Sequence, residues 1–333
     1  MQNRARRGYP PCAAAARCRS SRDAGSASSA RRGSVHDFLV GVIRATAPHH
    51  DIDIIPISET RESRLGWDAA IDDGVVPLFL QYKLPSFTTR ARYDWPAQHV
   101  TRRDRGFDDD EGVFHFPLRK QSDKAPISQH QLLLNLQRAG EHAYYTSTVY
   151  KDFTNLWKTG AGFGPPGSGS WKAWHTISLL HGAPVKRYFV PWVSGLIFIP
   201  PHDEVPDPPE DHRIFYNALY EASLHSDPQF MRPYDFRDLL TVMGRQLESG
   251  DVISGDGMNG EYVARLFKAL VGDVERRGEW VQSLLDQYAA EIRPGRTGDG
   301  DSVKNRWKAL HRVLWNTFGM DLVLAGKRFP ESA

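Results

Sequence analysis

The chain has 333 residues, 40% of them hydrophobic and 25% charged, and a formal net charge of +2. It is long enough for one large domain or two ordinary ones. The balance excludes a chain that is basic throughout, although a basic groove needs no basic average. The only cysteines, Cys12 and Cys18, exclude a disulfide framework or a cysteine zinc site in the body, and no apolar run approaches a membrane span, so a cytoplasmic protein is expected.

Residues 1–34 are rich in Arg, Ala, Ser and Gly. They hold too little apolar surface to order themselves and read as a disordered basic tail, either a simple extension or an arm that touches nucleic acid. His36 to Ala47 has Phe38, Leu39, Val42 and Ile43 at helical spacing, which predicts a first helix. Asp51 to Ile57 is a polar–apolar segment stopped by Pro56. Ser58 to Glu62 suits a turn of helix capped by Ser58 or Thr60.

Asp72-Asp73-Gly74 is a turn signal, and Val75-Val76-Pro77-Leu78-Phe79-Leu80 after it predicts a buried strand that ends in Gln81-Tyr82-Lys83. Period two puts Gln81 and Lys83 on one face and Tyr82 on the other. Asp68 stands before the turn, so a hairpin is expected to carry it towards Gln81 and Lys83. A carboxylate, an amide oxygen and a lysine at one sheet end suit metal-assisted phosphodiester hydrolysis. The acid holds a hard cation and the lysine offsets charge on phosphate.

This pattern resembles the PD-(D/E)XK nuclease superfamily, over about residues 35–150. Glu62 matches the family's helical acid, Asp68 its strand Asp, and Gln81-Tyr82-Lys83 its last motif in the Gln-x-Lys form of the Mrr-like branches. A neutral Gln81 replaces a carboxylate, and Trp67 stands where the family has Pro. The resemblance implies a catalytic set of Glu62, Asp68, Gln81 and Lys83. In it Asp68, Gln81 and Glu62 ligate Mg2+ (or Mn2+), and Lys83 stabilises developing charge. Restriction, repair or defence against foreign DNA is the implied setting, with nucleic acid as partner and DNA the first expectation.

Arg90, Arg92, Arg102, Arg103 and Arg105 with Tyr93 and Trp95 form a basic–aromatic insertion. Arg90 and Arg92 are candidates to grip phosphate; a solvated loop is the plainer reading. Val113 to Leu118 predicts a strand. Ser128 to Ala139 predicts a helix capped by Ser128 and ended by Gly140, with Leu132, Leu133 and Leu136 as its stripe. His142 to Tyr150 predicts the next strand. Strand, helix, strand is the order the resemblance implies, with Gln129 and Gln131 as nucleic-acid-binding candidates; otherwise both are solvated first-turn residues.

Gly164 and Gly169 have P-loop spacing, but Ser170-Trp171 replaces the Lys-Ser/Thr, so a loop is expected. Tyr188 to Val190 and Leu196 to Ile199 predict strands. The segment from His202 to His212 reads as a Pro-rich acidic loop before it reads as a metal site. Asp235–Glu248, Glu261–Val274, Trp280–Ile292 and Val303–Phe318 predict amphipathic helices. The expectation is an α/β protein. A restriction-endonuclease-like core over 35–200 follows the tail of 1–34, and a mainly α-helical region over 201–333 is free to dock a partner protein. A catalytically inactive nucleic-acid-binding module and a structural partner subunit are the alternatives.

Overall fold

The computed structural model describes residues 52–57, 71, 74–89, 96–104, 106–107, 112–121, 125–149, 196–201, 203–205, 208–217, 221–224, 230–231, 233–292 and 302–327. The expected tail, the helix at His36–Ala47, Glu62, Asp68, Arg90, Arg92, the glycine-rich segment and the strand at Tyr188–Val190 lie outside them.

Eleven strands and six helices are described, and they make an α/β structure with two sheets. The larger sheet has the order β1 (Ile52–Pro56), β11 (Asp321–Lys327), β2 (Val75–Tyr82), β5 (His142–Thr148), β6 (Leu196–Ile199) and β10 (Tyr234–Asp235). Its pairs are antiparallel except β2 with β5, which run parallel and are joined through helix α2 (Gln129–Arg138). The smaller, antiparallel sheet has the order β3 (Ser86–Thr88), β4 (Val113–Pro117), β7 (Arg213–Tyr216), β8 (Ala222–Leu224) and β9 (Phe230–Met231). The remaining helices are α1 (Pro96–Asp104), α3 (Phe236–Ser249), α4 (Gly260–Val271), α5 (Arg277–Ile292) and α6 (Val303–Phe318).

Strand β2 is buried from Val75 to Gln81 because both faces of its sheet are covered, which is why it reads as a continuous apolar run rather than an alternation. On one face Val75, Phe79, Tyr145, Ile197, Leu322 and Leu324 join a core with α2, α4, α5, α6 and the smaller sheet. On the other, Val76, Leu78, Leu80, Tyr144, Phe198 and Val323 pack on Leu239, Leu240, Met243 and Leu247 of α3.

The hairpin expected across Asp72–Gly74 does not supply the neighbour of β2. Strand β11 pairs with it from Val75 to Leu80, and β5 takes its other edge from Leu78 to Tyr82. Ile71 is helical rather than extended. Gly74 has a φ of +107°, and Val252 fills the space where a Cβ would go, because Val75 pairs with Ile253 at that point.

The division at residue 200 is not a structural boundary. The C-terminal strand β11 lies between β1 and β2, in the middle of the N-terminal sheet. The apolar faces of the late helices are likewise spent inside this chain, with Trp307, Leu310, Leu314 and Phe318 of α6 and Val263, Leu266, Phe267 and Leu270 of α4 buried in the shared core. Among the described residues no helix is long and apolar enough to cross a membrane.

Candidate functional site

The C-terminal end of β2 and the turn between α6 and β11 meet. Ser302 caps α6 by accepting from Asn305 N, and Gly319 ends the helix in the left-handed conformation, φ 64° and ψ 33°. Two glutamines satisfy the carbonyls left over at that end. Gln81 Nε2 donates to Gly319 O at 3.2 Å, and Gln129 Nε2 donates to Phe318 O at 2.6 Å. A Cβ on Gly319 would sit 3.5 Å from Gln129 Nε2 and 3.8 Å from Arg119 Nη1, so these three side chains enclose the turn.

Gln129 and Gln131 are therefore not free first-turn residues. Ser128 caps α2 as expected, accepting from Gln131 N at 3.2 Å, and the Gln131 amide donates to Asn135 Oδ1 one turn on at 2.9 Å. The basic insertion is also partly internal. Residues 96–104 are helix α1, with Pro96 at its first position, and Arg102 is 1% exposed with its guanidinium 4.1 Å from the Phe215 ring centroid.

Lys83 follows β2 directly and stands in the seam between the two sheets. Its backbone is fixed by Lys83 N donating to Thr146 O at 2.8 Å and by the Ser147 hydroxyl donating to Lys83 O at 2.9 Å. Its ammonium lies 5.3 Å from the Tyr145 ring centroid and 6.0 Å from that of Phe116. Tyr145 is held in turn: its hydroxyl is 2.9 Å from His130 Nδ1, while His130 Nε2 is 3.1 Å from the Asp203 carbonyl. A carbonyl only accepts, so neutral His130 carries its proton on Nε2 and Tyr145 donates to Nδ1. Lys83 is 8% exposed. Burial, reinforced by the positive charge of Arg119, pushes its pKa down to about 7.

The carboxylate beside the end of β2 is Asp321, which the sequence reading did not single out. It pairs with Leu80 across the sheet and so shares the face of Leu80 and Tyr82, opposite to Gln81 and Lys83. Its Oδ1 accepts from Leu322 N and faces His311 Nε2, both at 2.9 Å. Burial, with the Asp321 charge added to it, drives the Tyr82 hydroxyl well above its ordinary pKa.

These donors do not make a hard-cation site. Gln81 can offer one neutral oxygen, its amide nitrogen being committed to Gly319, and Asp321 is occupied on the other face. Among the described residues no group of three His, Cys, Asp or Glu side chains could hold a metal ion; His202, at the start of the Pro-rich acidic segment, lies outside them. What the arrangement does provide is a buried cation with a second cation beside it and aromatic walls. Comparison with family models, curated proteins and solved structures finds no match to this chain.

Proposed function

We propose that the chain binds nucleic acid at the C-terminal end of β2, with Lys83 directed at a backbone phosphate. The observation that carries the reading is Lys83 itself: a lysine 8% exposed, beside Arg119, with no described carboxylate facing it. A buried cation that no described carboxylate faces gains from an external anion, and phosphate is the anion that a duplex or single strand presents repeatedly. The PD-(D/E)XK resemblance supports the same class of partner, with DNA the first choice, in the cytoplasm.

Of the two forms of this reading, the binding module is better supported than the Mg2+-dependent nuclease. Gln81 is spent on the α6–β11 turn, and hydrolysis would have to draw its cation from Glu62 and Asp68, which lie outside the described residues. Gel-shift titration of single- and double-stranded DNA and RNA, in EDTA and again in Mg2+ or Mn2+, separates the forms. Binding that needs no divalent cation, with the strand left intact in all three, is expected. Cation-dependent cleavage that is lost in Asp68→Ala would restore the nuclease.

A further inference from the structure

We propose that the nucleic acid is single-stranded, a choice that rests on the nucleic-acid reading but not on the charge of Lys83, and that one of its bases stacks on Trp315 of α6.

Among the described residues three large apolar side chains are exposed: Leu84, Val100 and Trp315. One such residue is ordinary on a protein surface. Two of these three belong to the same end of the larger sheet. Leu84, 39% exposed, follows Lys83 just past β2, and Trp315, 38% exposed, stands one turn before Gly319. Gly319 N donates to Trp315 O at 2.9 Å, and Gly319 O accepts from Gln81 Nε2, so the last turn of α6 is bonded to the end of β2. Trp315 is also held in place. The His311 ring stacks against it, with centroids 6.2 Å apart and planes 28° apart, and His311 Nε2 is fixed by Asp321. An aromatic ring oriented before its partner arrives loses little conformational freedom on binding.

Charge names the occupant. Helix α6 carries Lys304, Arg306, Lys308 and Arg312 and no Asp or Glu. Its core face is Trp307, Leu310, Leu314 and Phe318. Lys304, Lys308, His311 and Trp315 recur at i, i+4, i+7 and i+11, so they share a second face on which two lysines precede the indole. Of the other two cations, Arg306 donates to Met258 O and Arg312 pairs with Glu291 at 3.0 Å. A lysine track that ends in an aromatic ring suits a partner that repeats a negative charge and a flat apolar group, which is a nucleic-acid strand. In a duplex the base faces are covered by their neighbours, whereas a single strand leaves them free to lie on an indole. Arg119, whose Nη1 is 3.8 Å from the place of a Cβ on Gly319, extends the positive charge past the turn.

The test uses the full chain in EDTA and fluorescence anisotropy with four labelled probes of equal length: oligothymidylate, oligouridylate, a base-free sugar–phosphate strand and a duplex. Wild type should bind one or both of the first two roughly tenfold more tightly than the base-free strand and the duplex, a comparison that needs no variant. Trp315→Ala, with an unfolding midpoint confirming that it folds, should lose roughly tenfold on the base-bearing strands and nothing on the base-free one. Its slope of log affinity against log salt should be unchanged, because stacking releases no counterions. Trp315→Phe should keep most of the affinity. A loss that is equal on the base-free strand would assign Trp315 to the fold and overturn the proposal. So would wild-type affinity in Trp315→Ala, or a wild-type chain that binds the duplex or the base-free strand as tightly as the other two. In each of these results the nucleic-acid reading stands. A chain that binds none of the four probes overturns that reading and the stacking role together.

Discussion

The side-chain amide of Gln81 donates to the main-chain carbonyl of Gly319 across 238 residues of sequence, at 3.2 Å. That bond makes Gln81 a cap for the last helix, and it sets the expected result of the substitution that would make the site resemble a carboxylate nuclease most closely. Gln81→Glu replaces a donor by an anion facing a carbonyl oxygen at a helix C-terminus, where the dipole is already negative. It should destabilise the fold by roughly 1–3 kcal/mol, read as a fall in the urea midpoint, and should not create Mg2+-dependent cleavage. Unchanged stability with new cleavage would return Gln81 to the metal.

A side chain at Gly319 should cost stability through the backbone conformation it must adopt. Its φ of 64° is left-handed, and a Cβ would enter the space enclosed by Gln129 and Arg119. Gly319→Ala is expected to cost about 1 kcal/mol or more, and Gly319→Val more again, because a branched side chain must also displace Gln129 from the Phe318 carbonyl. Chemical denaturation of both variants checks the order.

Two buried groups should shape the dependence of stability on pH, with opposite signs. Glu141 is raised to about 7, chiefly by burial and further by Asp251, with Arg265 opposing. In the unfolded chain it titrates near 4.3, so the folded state gains relative stability as pH falls and loses it as pH rises from about 4.3 to about 7. Lys83 is lowered to about 7 from an unfolded value near 10.4. The unfolded chain binds the extra proton between those values, so stability rises with pH through that window, and the cost of Lys83 is fully present below about 7. Lys83→Met should therefore stabilise the chain at pH 7 by roughly 1–4 kcal/mol and flatten the profile above neutrality. Glu141→Gln should flatten it below. Denaturant midpoints at half-unit intervals of pH read both slopes.

The His311–Asp321 contact joins α6 to the start of β11, with both side chains nearly enclosed. Removing Asp321 leaves the His311 Nε2 and the Leu322 backbone N–H without their shared acceptor, so Asp321→Ala should cost roughly 1–3 kcal/mol. It should also lower the titration of Tyr82, whose pKa the Asp321 charge helps to raise. Ultraviolet titration of the tyrosines together with urea unfolding tests the two effects in one preparation.

Local signals were legible where local chemistry decides the structure. The Ser128 cap, the Leu132–Leu136 stripe and Gly140 bound α2, and Val303–Phe318 is read to the residue, because capping and helical period are written within one or two turns. The apolar run of β2 and the β-rich His142–Thr148 are found for the same reason. Pairing between distant segments leaves no such trace. Leu322-Val323-Leu324 is a short apolar run that could have marked a strand, but nothing near it says that it inserts between β1 and β2. The Asp72–Gly74 turn signal suggested the wrong neighbour for β2 because Gly74 serves a close approach to Val252 instead. The site was legible in part. Lys83 stands at a strand end as read, whereas Gln81 and Gln129 reach carbonyls that only the folded C-terminus brings within range. Arg102 looked solvated because composition does not reveal that Phe215 lies under its guanidinium.

The salt dependence of nucleic-acid binding, measured for wild type and for Lys83→Gln at pH 6.0 and again at pH 8.5, tests the central claim most directly. If Lys83 meets a backbone phosphate as an ammonium, wild type should bind more tightly at the lower pH, because its charge is lost as pH rises through about 7. At pH 6.0 Lys83→Gln should weaken binding across unrelated sequences and reduce the slope of log affinity against log salt by about one. Affinity and slope that are the same in the two proteins at both pH values would contradict the assignment of Lys83 to phosphate.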